Sequence, residues 1–320
     1  MLVCTLDREK INSLNAVLPA KNSLSPLNSF AEGAISEEGM NVLKRIGMLD
    51  PEGNLTDTVR PAIDILSNPH AVVRISFTGG AGAYEHNINF DPTFRNHVSF
   101  TVTPGSCSID DESDPKGIIK VLEDFVGRSN LKSINLSKKF NTTQALVIAA
   151  MVDMERKSEL RAFVDEIPMM HNSYNPNMIW RMINSTSSSI QWLVSVVNEI
   201  IGEHLSPSPR HVQEAIDMLV ADGAVTQQNI GQYQLTGELA QLPGRMIIID
   251  NILSVQAAKE DEDSQVISSG FTCVQSGVHD LLFLDHNGSD IVFETITSVR
   301  LLSYLERFLN CEAYFSRLQV

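Results

Sequence analysis

VLKRIGML at residues 42–49 and MLVADGAV at residues 218–225 are two versions of one pattern. Laid on each other they set Leu43 against Leu219 and Gly47 against Gly223, and downstream Leu55-Thr56 falls on Leu235-Thr236. Each copy then runs through β-like segments and closes on a similar helix, LEDFV at 122–126 and LERFL at 305–309. A chain that repeats its own layout predicts an internally duplicated, pseudo-two-fold architecture. The second copy is longer by about four residues, in the segment that ends GQYQLT at 231–236.

Working outward from the repeat, Ser36 can cap a helix over 36–47, which Gly47 stops because glycine tolerates a left-handed turn. DPEGN at 50–54 is a turn, and a second helix is expected from Thr56 to Leu66, ended by Asn68-Pro69. Residues 1–18 read as a short helix with Leu2, Leu6, Ile11 and Leu14 as its apolar positions. Strands are expected at Val72–Thr78, Tyr84–Phe90 and His97–Thr103, with the Gly79–Gly82 cluster as a turn. A helix over 116–126 follows the acidic loop 110–115, and Leu131–Leu136 reads as a short strand. Thr142–Phe163 reads as a helix with Ala145, Ile148, Val152 and Leu160 in one buried stripe, and Ile190–Ile201 as a core helix. In the second copy His211–Ala221 is the counterpart of 36–47, and 225–235 a hairpin or wing. Strands follow at 246–255, 265–274, 281–285 and 291–295, with Asn287-Gly288 marking a tight hairpin.

Hairpin-like strand spacing favours an α+β fold over a parallel doubly wound sheet: antiparallel β-sheet flanked by helical bundles. The expected organisation is a first α+β repeat at 1–140, a helical connector at 141–206 and a second α+β repeat at 207–320.

Composition narrows the function classes. The chain has 320 residues, 43% hydrophobic and 20% charged, with a net charge of −15. Residues 1–160 hold 16 basic against 20 acidic side chains, and the remainder 8 against 19, so the halves carry −4 and −11. Such a surface repels phosphate backbones and anionic membranes, which argues against nucleic acid and membrane as partners. No stretch approaches the roughly 18 apolar residues of a membrane span. The start MLVCTLDREK has no signal-peptide pattern, and a cytoplasmic location is expected. Cys4, Cys107, Cys273 and Cys311 lie far apart, with no CxxC, so neither a zinc site nor a disulfide framework is indicated.

Motifs for chemistry are missing. TGGAGAYEH at 78–86 lacks GxGxxG spacing and is followed by a strand, so it reads as a hairpin turn and not a phosphate cradle. The acidic runs at 110–114 and 260–263 lack EF-hand spacing and read as solvated loops. None of the eight histidines sits in HExxH, and GxSxG is absent. No catalytic residue, metal or cofactor is assigned, although a site assembled in space from distant residues leaves no such trace in sequence. Residues 215–236 have the texture of a winged-helix end, but no Lys or Arg lies between Arg210 and Arg245 to read DNA. The segment IPMMHNSYNPNMIW at 167–180 offers a contact surface for another protein through Met169, Met170, Tyr174, Met178 and Trp180, since Met is adaptable and Tyr and Trp anchor interfaces. The alternative is that Met169, Met170, Met178 and Trp180 pack between the halves, the usual fate of apolar residues.

A helix ending in Gly47, a turn through Asp50 and Gly53, Leu55, and a helix through Leu66 to Pro69 ahead of paired strands resemble the EspG family of type VII secretion chaperones. The local resemblance spans roughly residues 36–78, and beyond it the order of elements corresponds. It implies a pseudo-two-fold α+β fold and a cytosolic, non-catalytic protein that holds aggregation-prone secretion substrates. The resulting expectation is a non-enzymatic chaperone or adaptor that binds another protein, with a winged-helix transcription regulator sensing a ligand in its β-rich part as the alternative. Oligomeric state is not readable, because an internal pseudo-dimer can replace a real one.

Overall fold

The computed structural model describes residues 3–18, 20–30, 36–80, 82–114, 116–168, 172–186, 189–202, 205–260, 265–277, 279–287 and 289–310. In chain order the elements are β1 (Val3–Leu6), α1 (Arg8–Asn15), α2 (Glu37–Arg45), α3 (Arg60–Ser67), β2 (Ala71–Gly79), β3 (Gly82–Phe90), β4 (His97–Val102), β5 (Cys107–Asp110) and α4 (Gly117–Val126). There follow β6 (Ser137–Asn141), α5 (Thr142–Val164), α6 (Pro176–Ser185), α7 (Leu193–Ile201), α8 (Pro209–Ala221), β7 (Val225–Asn229), β8 (Gln232–Leu235) and α9 (Gly237–Arg245). The chain continues through β9 (Asn251–Glu260), β10 (Val266–Ser276), β11 (Asp280–Asn287) and β12 (Asp290–Ile296) to α10 (Ser298–Leu309). Ten strands form an antiparallel sheet in the order β1-β5-β4-β3-β2-β9-β10-β11-β12-β6, and β7 with β8 makes a separate two-stranded sheet. The fold class is α+β.

The repeated sequence forms a repeated joint. Gly47 and Gly223 both take positive φ, 79° and 69°. After each, the chain turns back on its own helix, Met48 N–H donating to Leu43 O at 3.0 Å and Ala224 N–H to Leu219 O at 2.9 Å. The threonine of each Leu-Thr pair then closes the joint. Thr56 Oγ1 donates to Gly47 O at 2.8 Å and Thr236 Oγ1 to Gly223 O at 2.5 Å. Their amides donate to Met48 O and Ala224 O. Leu43 and Leu219 are fully buried beside their joints. The copies part at the antiparallel bridge that follows. Leu49 pairs with Leu55 across residues 50–54, whereas Val225 pairs with Leu235 across 226–234, and that extra length forms the hairpin β7–β8.

Packing divides the chain into two units, one of 1–125, 254–270 and 302–320, the other of 126–253 and 271–301. Residues 141–206, expected as a connector, lie within the second unit, and residues 254–270 of the expected second repeat lie within the first.

In the first unit, one face of β1, β4 and β5 turns Leu6, Val98, Phe100, Cys107 and Ile109 against Ile11, Leu14, Leu43, Ile63 and Leu66 of α1, α2 and α3. On the other face Phe77 meets Phe125 of α4, ring centroids 4.6 Å apart. The expected helix over 1–18 is instead a strand and a helix, because Asp7 caps α1 by accepting from Lys10 N–H at 3.0 Å. Likewise α3 starts at Arg60 and not at Thr56, whose hydroxyl is used in the joint.

His86 on β3 has its Nδ1 2.8 Å from Thr101 Oγ1. Burial drives its pKa down to about 4, with Asp110 opposing weakly. A histidine whose folded pKa lies below its unfolded value of about 6.5 lends stability that is complete above that value and is lost as pH falls through the window from 6.5 to 4. Between pH 7 and pH 5 the protein should lose about 2 kcal/mol from this group. Comparing urea midpoints at the two pH values for the native chain and for His86→Gln, which cannot ionise, isolates that contribution. Equal losses in both proteins would contradict it.

In the second unit α5 is the centre. Residues 144–153 are buried around the whole helix, where a single stripe was expected, because α6, α7, α8 and α9 pack around it together with β6 and β12. A helix apolar on all sides needs such cover. Asn141 and Gln144 start it with a reciprocal capping box. The strand expected at 131–136 begins at Ser137 instead, and the one expected at 246 begins at Asn251.

Candidate protein-contact site

The exposed apolar surface of the second unit is concentrated where α5 outruns its cover. Leu160, Phe163, Val164 and Ile167 are 41%, 72%, 70% and 56% exposed. Leu160, Phe163 and Val164, spaced i, i+3 and i+4, share one face of the helix, Ile167 follows just past its end, and from Leu160 to Pro168 only Ala162 is buried. The buried stripe expected to reach Leu160 therefore ends before it. Single exposed apolar residues are ordinary on a protein surface, but four large ones within eight positions make this a candidate contact surface.

The turn that ends this helix holds the patch in place. Ile167 N–H donates to Ala162 O at 2.9 Å and Glu166 N–H to Phe163 O at 3.4 Å, the paired bonds of a Schellman ending. That ending requires a left-handed residue, which here is Glu166 at φ 55° where glycine is usual. Glu166→Gly should raise stability by about 1 kcal/mol. Thermal unfolding would show a higher Tm, and a lower one would mean that the turn is not under this strain.

The segment after the turn is tied across α5 and against the wing. Asn172 N–H donates to Glu155 Oε1 at 3.2 Å, and its Nδ2 to Ser158 Oγ at 2.7 Å. Tyr174 OH donates to Glu155 Oε2 at 2.5 Å, and burial together with that carboxylate raises the phenol's pKa. Tyr174 and Tyr233 exchange backbone hydrogen bonds of 2.8 and 3.0 Å, which joins the segment to β8. At the wing tip Ile230 is 99% exposed. The wing carries no charge from Val225 to Thr236.

Two charges inside α5 tie it to neighbouring helices. Asp153 accepts from the N–H groups of Leu193 and Val194, both at 3.0 Å, and so caps α7, whose own cap residue Trp192 has no side-chain bond to offer. Arg156 Nη1 lies 2.7 Å from Asp153 Oδ1. It also donates to Gln191 O at 2.8 Å, and the guanidinium further donates to Met246 O and Ile247 O at the end of α9. Each charge thus opposes the dipole of a helix end. Burial pushes the Asp153 carboxyl up to about 6 against the pull of Arg156 and the two N–H donors, leaving it ionised at pH 7.

Of the residues singled out in the sequence, Met169 and Met170 lie outside the described residues. Tyr174 is buried on Glu155. Met178 is exposed on α6, and Trp180 packs against the core with its Nε1 donating to Pro207 O at 3.0 Å. The last five residues of the segment 167–180 are helix, since Asn175 caps α6 and Pro176 opens it. Phe163, Val164 and Ile167 were not among the residues singled out, although Phe163 and Val164 stand three and four positions after Leu160.

The helix-plus-wing unit is present as α8, β7 and β8, with Arg210 ion-paired to Glu214 at 2.8 Å and no other Lys or Arg before Arg245. Among the described residues, no group of three His, Cys, Asp or Glu is placed to hold a metal ion, and no helix is long and apolar enough to cross a membrane.

No family model matches the sequence, and no curated protein matches it. Among solved structures the chain is similar to a chain of the Mycobacterium tuberculosis type VII secretion system chaperone EspG5 in complex with the PE25–PPE41 dimer. The likeness covers 94% of this chain and 94% of that one, with a TM-score of 0.51 and 10% sequence identity. At that identity it is a distant relationship of fold, in the direction that the resemblance over residues 36–78 suggested.

Proposed function

We propose that this protein is a non-enzymatic, cytoplasmic chaperone or adaptor that binds another protein, in a secretion-associated role. The observation that carries the reading is the apolar patch of Leu160, Phe163, Val164 and Ile167, exposed at and just past the end of a helix that is buried over residues 144–153. Met178 on α6 is a further exposed apolar side chain of the same unit. The distant fold likeness supports the same reading, because that structure is of a chaperone with a protein dimer bound.

The experiment is capture from the native host with the tagged chain and with Phe163→Asp/Ile167→Asp. Both positions are exposed, so the variant should fold. The reading expects one protein recovered near stoichiometrically by the native chain and at least tenfold less by the variant. Equal recovery by both, or no partner at all, would overturn it.

A further inference from the structure

From residue 125 to residue 152 the chain holds no acidic side chain and four basic ones, Arg128, Lys132, Lys138 and Lys139, in a protein whose net charge is −15. All four are exposed. Lys138 and Lys139 lie on β6, which ends the sheet order and pairs with β12 alone, Lys138 opposite Phe293 and Lys139 opposite Val292. Among the described residues no strand pairs with its other side, so every second N–H and C=O of β6 faces away from the sheet. In the loop before β6, Lys132 Nζ donates at 3.2 Å to Thr295 O, near the end of β12, while Ser129, next to Arg128, is bonded to Ser298 at the start of α10. Two acids of β12 are engaged, Asp290 at 3.9 Å from Lys139 Nζ and Glu294 at 2.6 Å from Arg300.

Lysines on an edge strand also serve to keep it from pairing wrongly. Guarding needs charge on the strand itself, and it accounts for neither Arg128 nor Lys132, which lie off it. At the other end of the sheet order β1 reads Val-Cys-Thr-Leu, with no charge at all.

We propose that β6 docks an extended acidic segment of a partner protein, added as a strand along its free edge. The backbone ladder supplies affinity, and the lysines select carboxylates. A strand edge fits a polypeptide, and the net charge of the whole disfavours nucleic acid. Phe140 and Leu160 are separated by the length of α5, roughly 30 Å for 20 residues at 1.5 Å each, so this surface is independent of the apolar face.

The test is fluorescence anisotropy of the full chain with a capped peptide alternating Glu and Val. Its comparison arms are the Lys-Val counterpart, the same acidic peptide N-methylated on alternate backbone nitrogens, and a thymidine oligonucleotide. The acidic peptide should bind, more weakly as salt rises. Lys138→Glu/Lys139→Glu should weaken it at least tenfold, and Lys138→Gln/Lys139→Gln should weaken it less. N-methylation should also cost at least tenfold, whereas Phe163→Asp should leave binding unchanged, which separates this surface from the apolar one. The proposal is overturned by absent binding, by equal binding to the Glu variant, by equal binding of the methylated peptide, or by preference for the oligonucleotide.

Discussion

Asp153→Ala should destabilise the second unit by about 3–5 kcal/mol, the range for removing one partner of a buried ion pair. Three losses combine. The N–H groups of Leu193 and Val194 lose their acceptor at the start of α7. Arg156, 4% exposed, keeps its charge without the carboxylate that balances it. The vacated volume lies among residues that are themselves fully buried. The readout is specific, because the protein's two tryptophans, Trp180 and Trp192, both belong to this unit and Trp192 stands at the capped end of α7. Urea unfolding followed by tryptophan fluorescence should shift to markedly lower denaturant. A change under about 1 kcal/mol would show that the buried pair does not hold these helices.

Gly270→Ala should cost about 3 kcal/mol, at the upper end for overpacking. A Cβ on Gly270 would fall inside van der Waals distance of Val255 O and 3.2 Å from Gln256 Cα. Both obstacles are backbone of the neighbouring strand β9, so relief requires moving the ladder and not rotating a side chain. Glycine stands here because two backbones approach closely. Circular dichroism during urea unfolding reads the change, and an unchanged midpoint would mean that β9 and β10 are further apart than described.

What could be read from the chain was what local physics decides. Gly47 and Gly223 announced left-handed stops, and the residues around them announced the repeat, since a positive φ and a helical period both leave marks within a few positions. Thr56 shows the limit of that reasoning. It looked like a helix start, but its hydroxyl closes the joint to Gly47, and a threonine shows the same capacity for either role. Asn175-Pro176 carried a helix-start signal that the surrounding Met and Asn residues obscured. Leu160 was assigned to a buried stripe because periodicity identifies a face and does not say where the covering helices stop. The Asp153 and Arg156 network was invisible for a related reason: its partners lie about 40 and 90 residues away, and nothing in a local window records them.

Binding of a partner protein at the exposed end of α5 can be read by hydrogen–deuterium exchange on the purified complex with the captured partner. Exchange over residues 158–168 should slow when the partner is present, with the protection lost in Phe163→Asp/Ile167→Asp. A stable complex in which residues 158–168 exchange as they do in the free protein would contradict it.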